Sequence, residues 1–218
     1  MIKCCIFDLD GTLLYTLPTI TYYLNETLVE YGLSPVSESE CCSFIGDGAR
    51  VLIERALKAH GIEDGERCEE LLINYKKRYD DAPLYLTRVY EGIEELIDKL
   101  RGEGIALAVL SNKPHEATEA VVKHYFADSF DIVMGAVEGV PLKPRADAAE
   151  KICDALRISQ NNVAFVGDTA VDIETAKNMG SALSVGVLWG YRNIEELSEA
   201  GADVIAKEPS EIYKAVVK

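Results

Sequence analysis

A chain of 218 residues, 48% hydrophobic and 27% charged, can bury a substantial core and has room for one domain with an insert or for two small domains, which excludes a disordered polypeptide. Its formal net charge of −15 repels nucleic-acid phosphates and anionic membrane surfaces, so neither is an expected partner. In that field an anionic substrate needs local positive charge or a bound metal, which makes any Lys or Arg beside a carboxylate informative.

The six cysteines, Cys4, Cys5, Cys41, Cys42, Cys68 and Cys153, form no Cys-x-x-Cys pair and no zinc-like spacing, which points to a reducing compartment. No basic-then-apolar signal segment opens the chain and no stretch reaches membrane-spanning length, so a cytoplasmic location is expected.

Ile2, Cys4, Cys5, Ile6 and Phe7 make a nearly continuous apolar run, the pattern of a strand buried on both faces of a parallel sheet. Asp8 follows at its end, where open α/β sheets bind ligands. Asp10 lies two residues on, and side chains at that spacing share one side of an extended chain. Two facing carboxylates repel unless a cation lies between them or one holds a proton. The plain alternative for Asp8-Leu9-Asp10-Gly11-Thr12 is a solvated turn or a helix cap.

From Tyr15 to about Ala82 helical periodicity dominates and convincing strands are absent, as in an inserted helical domain. Pro18 suits a first helical turn, with Leu24, Leu28 and Tyr31 on one stripe and Gly32 as its stop. A second helix is predicted over Asp47 to His60 and a third over Glu66 to Tyr79, with 80–83 as the return linker.

Strand and helix then alternate, which predicts a parallel sheet covered on both faces. A helix carrying Ile93, Leu96, Ile97 and Leu100 stops near Gly104, and Ile105 to Leu110 is a strand that Ser111 and Asn112 end. A helix over Glu116 to Tyr125, a strand over Phe130 to Met134 and a helix over Ala146 to Leu156 follow. The strand Val163 to Val166 leads straight into Gly167 and Asp168. A helix near Ile173 to Met179, strands at Leu183 to Val187 and Asp203 to Ile205, and a terminal helix complete the chain. Three strand ends thus deliver Asp8 with Asp10, Ser111 with Asn112, and Asp168 to one sheet edge.

Four motifs in order carry a specific resemblance: Asp8-Leu9-Asp10-Gly11-Thr12-Leu13, Ser111-Asn112 after an apolar strand, Lys143-Pro144, and Gly167-Asp168-Thr169-Ala170-Val171-Asp172. Over residues 2 to about 192 the chain resembles the haloacid dehalogenase superfamily of phosphohydrolases. The resemblance implies an α/β fold, a Rossmann-like parallel sheet core (1–14 and 83–218) with an inserted α-helical cap domain (15–82). It implies Asp8 as nucleophile, Asp10 as general acid and base, and Lys143 as the cation that neutralises Asp8 and the phosphoryl group. Mg²⁺ is the implied cofactor, held by Asp8, the backbone carbonyl of Asp10, and Asp168, with Asp172 in support; the spacing of four lets one helical turn set Asp168 and Asp172 toward one side. Thr12, Ser111 and the backbone N–H of Asn112 are the implied substrate contacts.

The substrate so implied is a small phosphate ester. A halide leaving group needs no proton, so the presence of Asp10 argues against the dehalogenase branch. Ile45-Gly46-Asp47-Gly48-Ala49-Arg50 resembles the cap loop of phosphoglycolate phosphatases, which implies that Gly46 admits ligand closely and that Arg50 binds a substrate carboxylate; a solvated helix position is the alternative for Arg50. Trp189-Gly190-Tyr191-Arg192 resembles the tail of the same subgroup, with Tyr191 and Arg192 edging the site or merely packing. Tyr15-Thr16 departs from the Asp-Ser that relatives carry there. The favoured substrate is 2-phosphoglycolate. A pyrophosphatase, a sugar-phosphate phosphatase, a nucleotidase and a phosphosugar mutase share the same core chemistry, and a phosphate sensor without turnover is the alternative of another class. His60, His115 and His124 lie outside all four motifs and are read as structural or solvated.

Overall fold

The computed structural model describes residues 1–217 and places the opening apolar run in β1 (Cys4–Phe7). In chain order there follow β2 (Leu14–Tyr15), α1 (Leu17–Glu30), α2 (Glu38–Phe44), α3 (Ala49–Ala59), α4 (Gly65–Asp81), β3 (Arg88–Val89), α5 (Ile93–Gly102), β4 (Ala106–Pro114), α6 (His115–Phe126), β5 (Ile132–Ala136) and α7 (Asp147–Leu156). The remainder is a short 3-10 turn (Gln160–Asn162), β6 (Val163–Gly167), α8 (Ala170–Met179), β7 (Leu183–Val187), α9 (Ile194–Glu199), β8 (Val204–Ala206) and α10 (Pro209–Val216). The chain divides into two compact units, one of Met1–Tyr15 with the segment from Val89 onward, the other Thr16–Arg88.

The first unit is built on a six-stranded sheet in the order β5-β4-β1-β6-β7-β8, parallel throughout. β1 is central: Cys4 to Phe7 pair with Ala106 to Val109 on one side and with Val163 to Val166 on the other. From it the connections run outward in both directions, which opens a crevice beyond the carboxyl ends of β1, β4 and β6. Right-handed crossovers then put α5 and α6 on one face and α7, α8 and α9 on the other, and α10 packs on α5.

Side-chain alternation divides the core accordingly. Cys4, Ile6, Ala108, Leu110, Val163 and Phe165 pack with Ala149, Ile152 and Cys153 of α7 and with Ala176 and Met179 of α8. On the opposite side of β1, Phe7 meets Phe130 edge-on at 6.3 Å. Burying such side chains stabilises by about 1.5–3 kcal/mol each, so the sheet that carries the polar strand ends is firmly anchored on both faces. None of the six cysteines is in a disulfide, and burial raises the thiols of Cys4, Cys5, Cys41 and Cys153.

The second unit is the helical layer α1 to α4. Edge contacts between Tyr23 and Tyr79, 5.7 Å apart, tie α1 to α4, and Asp64 caps α4 by accepting from the backbone N–H groups of Glu66 and Arg67. Among the described residues no helix is long and apolar enough to cross a membrane.

Several expectations are corrected. β4 does not end at Ser111 and Asn112: it runs on to Pro114, with its pairing to β5 irregular between Leu110 and Pro114, so these polar residues and Lys113 lie on the strand itself. α2 and α9 were not predicted; α2 has one buried residue, Cys41, and leaves almost no periodicity to read. Its start was nevertheless marked, because Ser37 and Glu40 form a reciprocal capping box. β2 and β3, two residues each, pair as a small separate sheet that periodicity cannot detect.

Candidate active site

Sheet hydrogen bonding continues one residue beyond β1, where the N–H of Asp8 donates to Val166 O at 2.9 Å. The chain then folds back on Leu9, whose carbonyl accepts from the N–H groups of Thr12, Leu13 and Leu14 at 3.3, 3.0 and 3.0 Å. Leu9, Leu13 and Leu14 are fully buried, so the loop that carries Asp8 and Asp10 is clamped by its own apolar residues. Gly11 makes this possible. Its φ of +87° is left-handed, and a Cβ there would lie 2.3 Å from Oδ2 of Asp168.

Lys143 lies at the centre. Its Nζ is 2.7 Å from Oδ1 of Asp8 and 2.7 Å from Oδ1 of Asp172, and its side chain is 3% exposed. Burial opposes the ammonium charge, but the carboxylates of Asp172 and Asp8 outweigh it and hold Lys143 above its ordinary pKa. Asn112 fixes the backbone that carries it, accepting from Lys143 N–H at 2.9 Å and donating through Nδ2 to Lys143 O at 3.1 Å.

Asp168 is completely buried between two donors: Thr12 Oγ1 reaches its Oδ1 at 3.2 Å and Tyr191 N–H its Oδ2 at 2.8 Å. It stands just ahead of α8, with Thr169 as N-cap, so it does not share a helical face with Asp172. Asp172 is the third residue of α8, and its Oδ2 accepts from the N–H and hydroxyl of Thr169 at 3.1 and 3.0 Å. Strand tip and capping box, rather than an i,i+4 repeat, bring the two carboxylates together.

Oxygen atoms of Asp8, Asp168 and Asp172 all lie within 4.8 Å of one another. Burial pushes Asp8 up to about 7 against the pull of Lys143, and burial with the fields of Asp172 and Asp8 pushes Asp168 well above the usual carboxylate range. With Asp8, Asp168 and Asp172 all ionised, the one ammonium would leave two negative charges uncompensated in a buried, all-oxygen setting, a repulsion that a bound cation relieves. That donor set and charge fit a hard divalent cation.

The haloacid dehalogenase-like hydrolase family model matches residues 5–185. The chain belongs to that family. It is 36% identical over 190 residues to the phosphoglycolate phosphatase of Cereibacter sphaeroides (strain ATCC 17025), covering 86% of each chain. It is 30% identical over 220 residues to that of Vibrio parahaemolyticus, covering 99% of this chain and 96% of the relative. Among solved structures, a predicted phosphoglycolate phosphatase from Haemophilus somnus superposes with a TM-score of 0.90 at 27% identity, over 98% of this chain and 97% of that one.

In this hydrolase the remaining expected residues fall in two groups. Ser111 is buried with its Oγ accepting from Lys113 N–H at 3.3 Å, and Thr12 commits its hydroxyl to Asp168 and its carbonyl to the Trp189 indole N–H at 2.9 Å. Arg192 pairs with Glu196, which in turn accepts from Ala170 N–H, so the first turn of α9 braces the start of α8. Gly46 and Arg50 belong to the second unit. Gly46 has a left-handed φ of +126°, while the guanidinium of Arg50 already pairs with the carboxylate of Glu69, both about half exposed. The neighbouring Arg55 holds the loop by contacts to Asp47 and Phe44 O. Two histidines are structural, His60 bridging Ala56 O and Ser34 O and His115 accepting from Gly135 N–H.

Lys113 was not anticipated. Its Nζ lies 3.3 Å from Oδ1 of Asp10, with side chains 6% and 16% exposed. A signal existed: Lys113 is two residues beyond Ser111, on the same side of an extended chain.

Proposed function

We propose that the chain is a Mg²⁺-dependent phosphatase that hydrolyses a small phosphate monoester through an aspartyl-phosphate on Asp8, with 2-phosphoglycolate as the favoured substrate. The observation that carries this reading is the 2.7 Å contact of Lys143 to Asp8 inside the three-carboxylate cluster, which joins a nucleophile, a fixed cation and a divalent-ion donor set at one strand tip. The substrate choice is supported by the names of the relatives, at 30–36% identity.

In this reading Oδ2 of Asp8 attacks phosphorus while the bond from phosphorus to the ester oxygen breaks, and Asp10 gives its proton to the departing alkoxide. Asp10 then takes a proton from water. The resulting hydroxide attacks phosphorus, the bond to Asp8 breaks, and inorganic phosphate leaves with the Asp8 carboxylate restored. Lys143 offsets charge on Asp8 and on the phosphoryl oxygens, and Ser111 with the N–H of Asn112 receives those oxygens as they gain charge. Asp8, the carbonyl of Asp10, and Asp168 would hold the Mg²⁺, which offsets the repulsion between carboxylate and phosphate dianion. Asp172 acts through Lys143, since both its oxygens are engaged by Lys143 and Thr169. The second unit is the cap that recognises the rest of the substrate, with Gly46 in its loop; Arg50 serves there only by exchanging Glu69 for a substrate carboxylate.

Steady-state turnover of a panel of phosphate esters, with Mg²⁺ and with a chelator, tests the proposal. Phosphoglycolate is expected to give the largest kcat/KM, with activity lost in the chelator and in both Asp8→Asn and Asp10→Asn. Uniformly feeble rates across the panel would remove phosphoglycolate, and Mg²⁺-independent turnover or an active Asp8→Asn variant would remove the mechanism.

A further inference from the structure

We propose that Lys113 is a positioning residue for Asp10, holding one carboxylate oxygen so that the other faces the leaving group. This rests on the reading of Asp10 as the general acid.

The backbone of Lys113 is fixed from three sides. Its N–H donates to Ser111 Oγ at 3.3 Å, and its carbonyl accepts from Thr118 Oγ1 at 3.3 Å. That carbonyl also packs so tightly on Gly135 that a Cβ on the glycine would lie 2.6 Å from it. Lysine is a long, rotamer-rich side chain that is almost never buried without a partner. Here its Nζ is carried to Oδ1 of Asp10, and the side chain is 6% exposed.

Asp10 needs such a partner. It follows β1 on a loop in which Leu9, Thr12, Leu13 and Leu14 are buried, whereas its own side chain is the more open of the two carboxylates of that loop, 16% exposed against 11% for Asp8. A carboxylate that protonates a leaving oxygen must hold its position to within a fraction of an ångström, and a 1 Å misplacement can cost about 10²-fold in rate. The two lysines divide the site: Lys143 serves the nucleophile and Asp172, Lys113 the acid.

The division predicts a dependence on the leaving group. kcat/KM reports the steps through transfer of phosphorus to Asp8, in which an alkyl ester needs a proton and a 2,4-dinitrophenyl ester does not. Lys113→Met removes the ammonium and keeps the length of the side chain. We expect it to lower kcat/KM for an alkyl phosphate by roughly 10²-fold, within the range of general acid contributions, and for 2,4-dinitrophenyl phosphate by less than about threefold. Lys113→Arg, which restores a cation in reach of Asp10, is expected to recover most of the alkyl activity.

Asp10→Asn on the same two esters is the reference. If it slows both esters equally, the reading of Asp10 as acid fails, whatever Lys113 does. If Asp10→Asn discriminates between the esters while Lys113→Met slows both equally or neither, the proposal for Lys113 is overturned. Should Lys113→Met fail to fold, Lys113→Gln and Lys113→Arg give the same comparison, and equal losses on the two esters in Lys113→Gln overturn it as well.

Discussion

The side-chain amide of Asn112 spans the backbone of Lys143, matching its N–H with Oδ1 and its C=O with Nδ2, and both residues are buried. This two-bond match ties the strand-borne tip of β4 to the segment ahead of α7, and it sets where the ammonium between Asp8 and Asp172 stands. Asn112→Ala leaves two buried backbone groups without those partners, each worth about 1–3 kcal/mol when orphaned. The variant is expected to lose stability on that scale by urea unfolding and to lose roughly tenfold or more in kcat/KM on an aryl phosphate as Lys143 drifts. Full activity in a destabilised Asn112→Ala protein would show that the clamp serves folding alone.

Replacing Lys143 itself separates charge from packing. Lys143→Met leaves Asp8 and Asp172 buried without their cation, and breaking such a pair typically costs about 3–5 kcal/mol. Because Asp8, which burial already raises, escapes the penalty by taking up a proton, the loss is expected to be larger at about pH 8 than at about pH 5. Urea unfolding of wild type and variant at the two pH values reads this directly. An equal loss at both would place the effect in packing of the lysine stem.

The parts of this molecule that were readable from residue order are those governed by one dominant force. Cys4 to Phe7, Val163 to Val166 and Leu183 to Val187 are buried strands, and continuous apolar runs report them within a residue or so. The convergence of Asp8 and Asp168 follows from strand ends sharing a sheet edge, while Lys143 arrives on the segment ahead of α7; the four motifs name all three. What escaped was set by local backbone detail. The extension of β4 through Ser111, Asn112 and Lys113 depends on an irregular register with β5, which residue order does not show; nor does it show that the side chain of Asn112, besides its backbone, clamps Lys143. The spacing of Asp168 and Asp172 reads as a helical repeat in the sequence, whereas Thr169, the N-cap of α8, leaves Asp168 outside the helix.

Gly11 and Gly32 both hold left-handed φ angles, +87° and +74°, but only Gly11 has a neighbour that a methyl group would strike, Asp168 Oδ2 at 2.3 Å; around Gly32 nothing lies within 4 Å. Alanine at Gly32 therefore carries only backbone strain, on the order of 1 kcal/mol. Alanine at Gly11 adds displacement of a proposed metal ligand. Gly11→Ala is expected to weaken Mg²⁺ binding by about 10-fold or more, while Gly32→Ala leaves it unchanged; disturbed support around a ligand commonly costs 10–100-fold. Isothermal titration of the two variants makes the comparison, and equal affinities would show that Asp168 is not where the ion is held.

The same crowding of carboxylates sets the pH response of the metal-free protein. Burial raises Asp8 to about 7 and Asp168 well above the usual range, whereas both titrate near 4 in the unfolded chain. Between those values the folded state holds protons that the unfolded state has released, so stability falls as pH rises from about 4 through 7. Lys143, held above its ordinary value, contributes stability that persists until well above this window. A divalent ion competes with these protons and takes over their role in relieving the repulsion, so its affinity and its stabilising effect both grow as they leave. Thermal unfolding across this range is expected to show a midpoint that declines with pH in chelator and recovers with Mg²⁺, most strongly at about pH 8. A metal-free midpoint that climbs from about pH 5 to 8, or a Mg²⁺ effect independent of pH, would mean that Asp8 and Asp168 are ionised throughout and that the fold bears their repulsion without help.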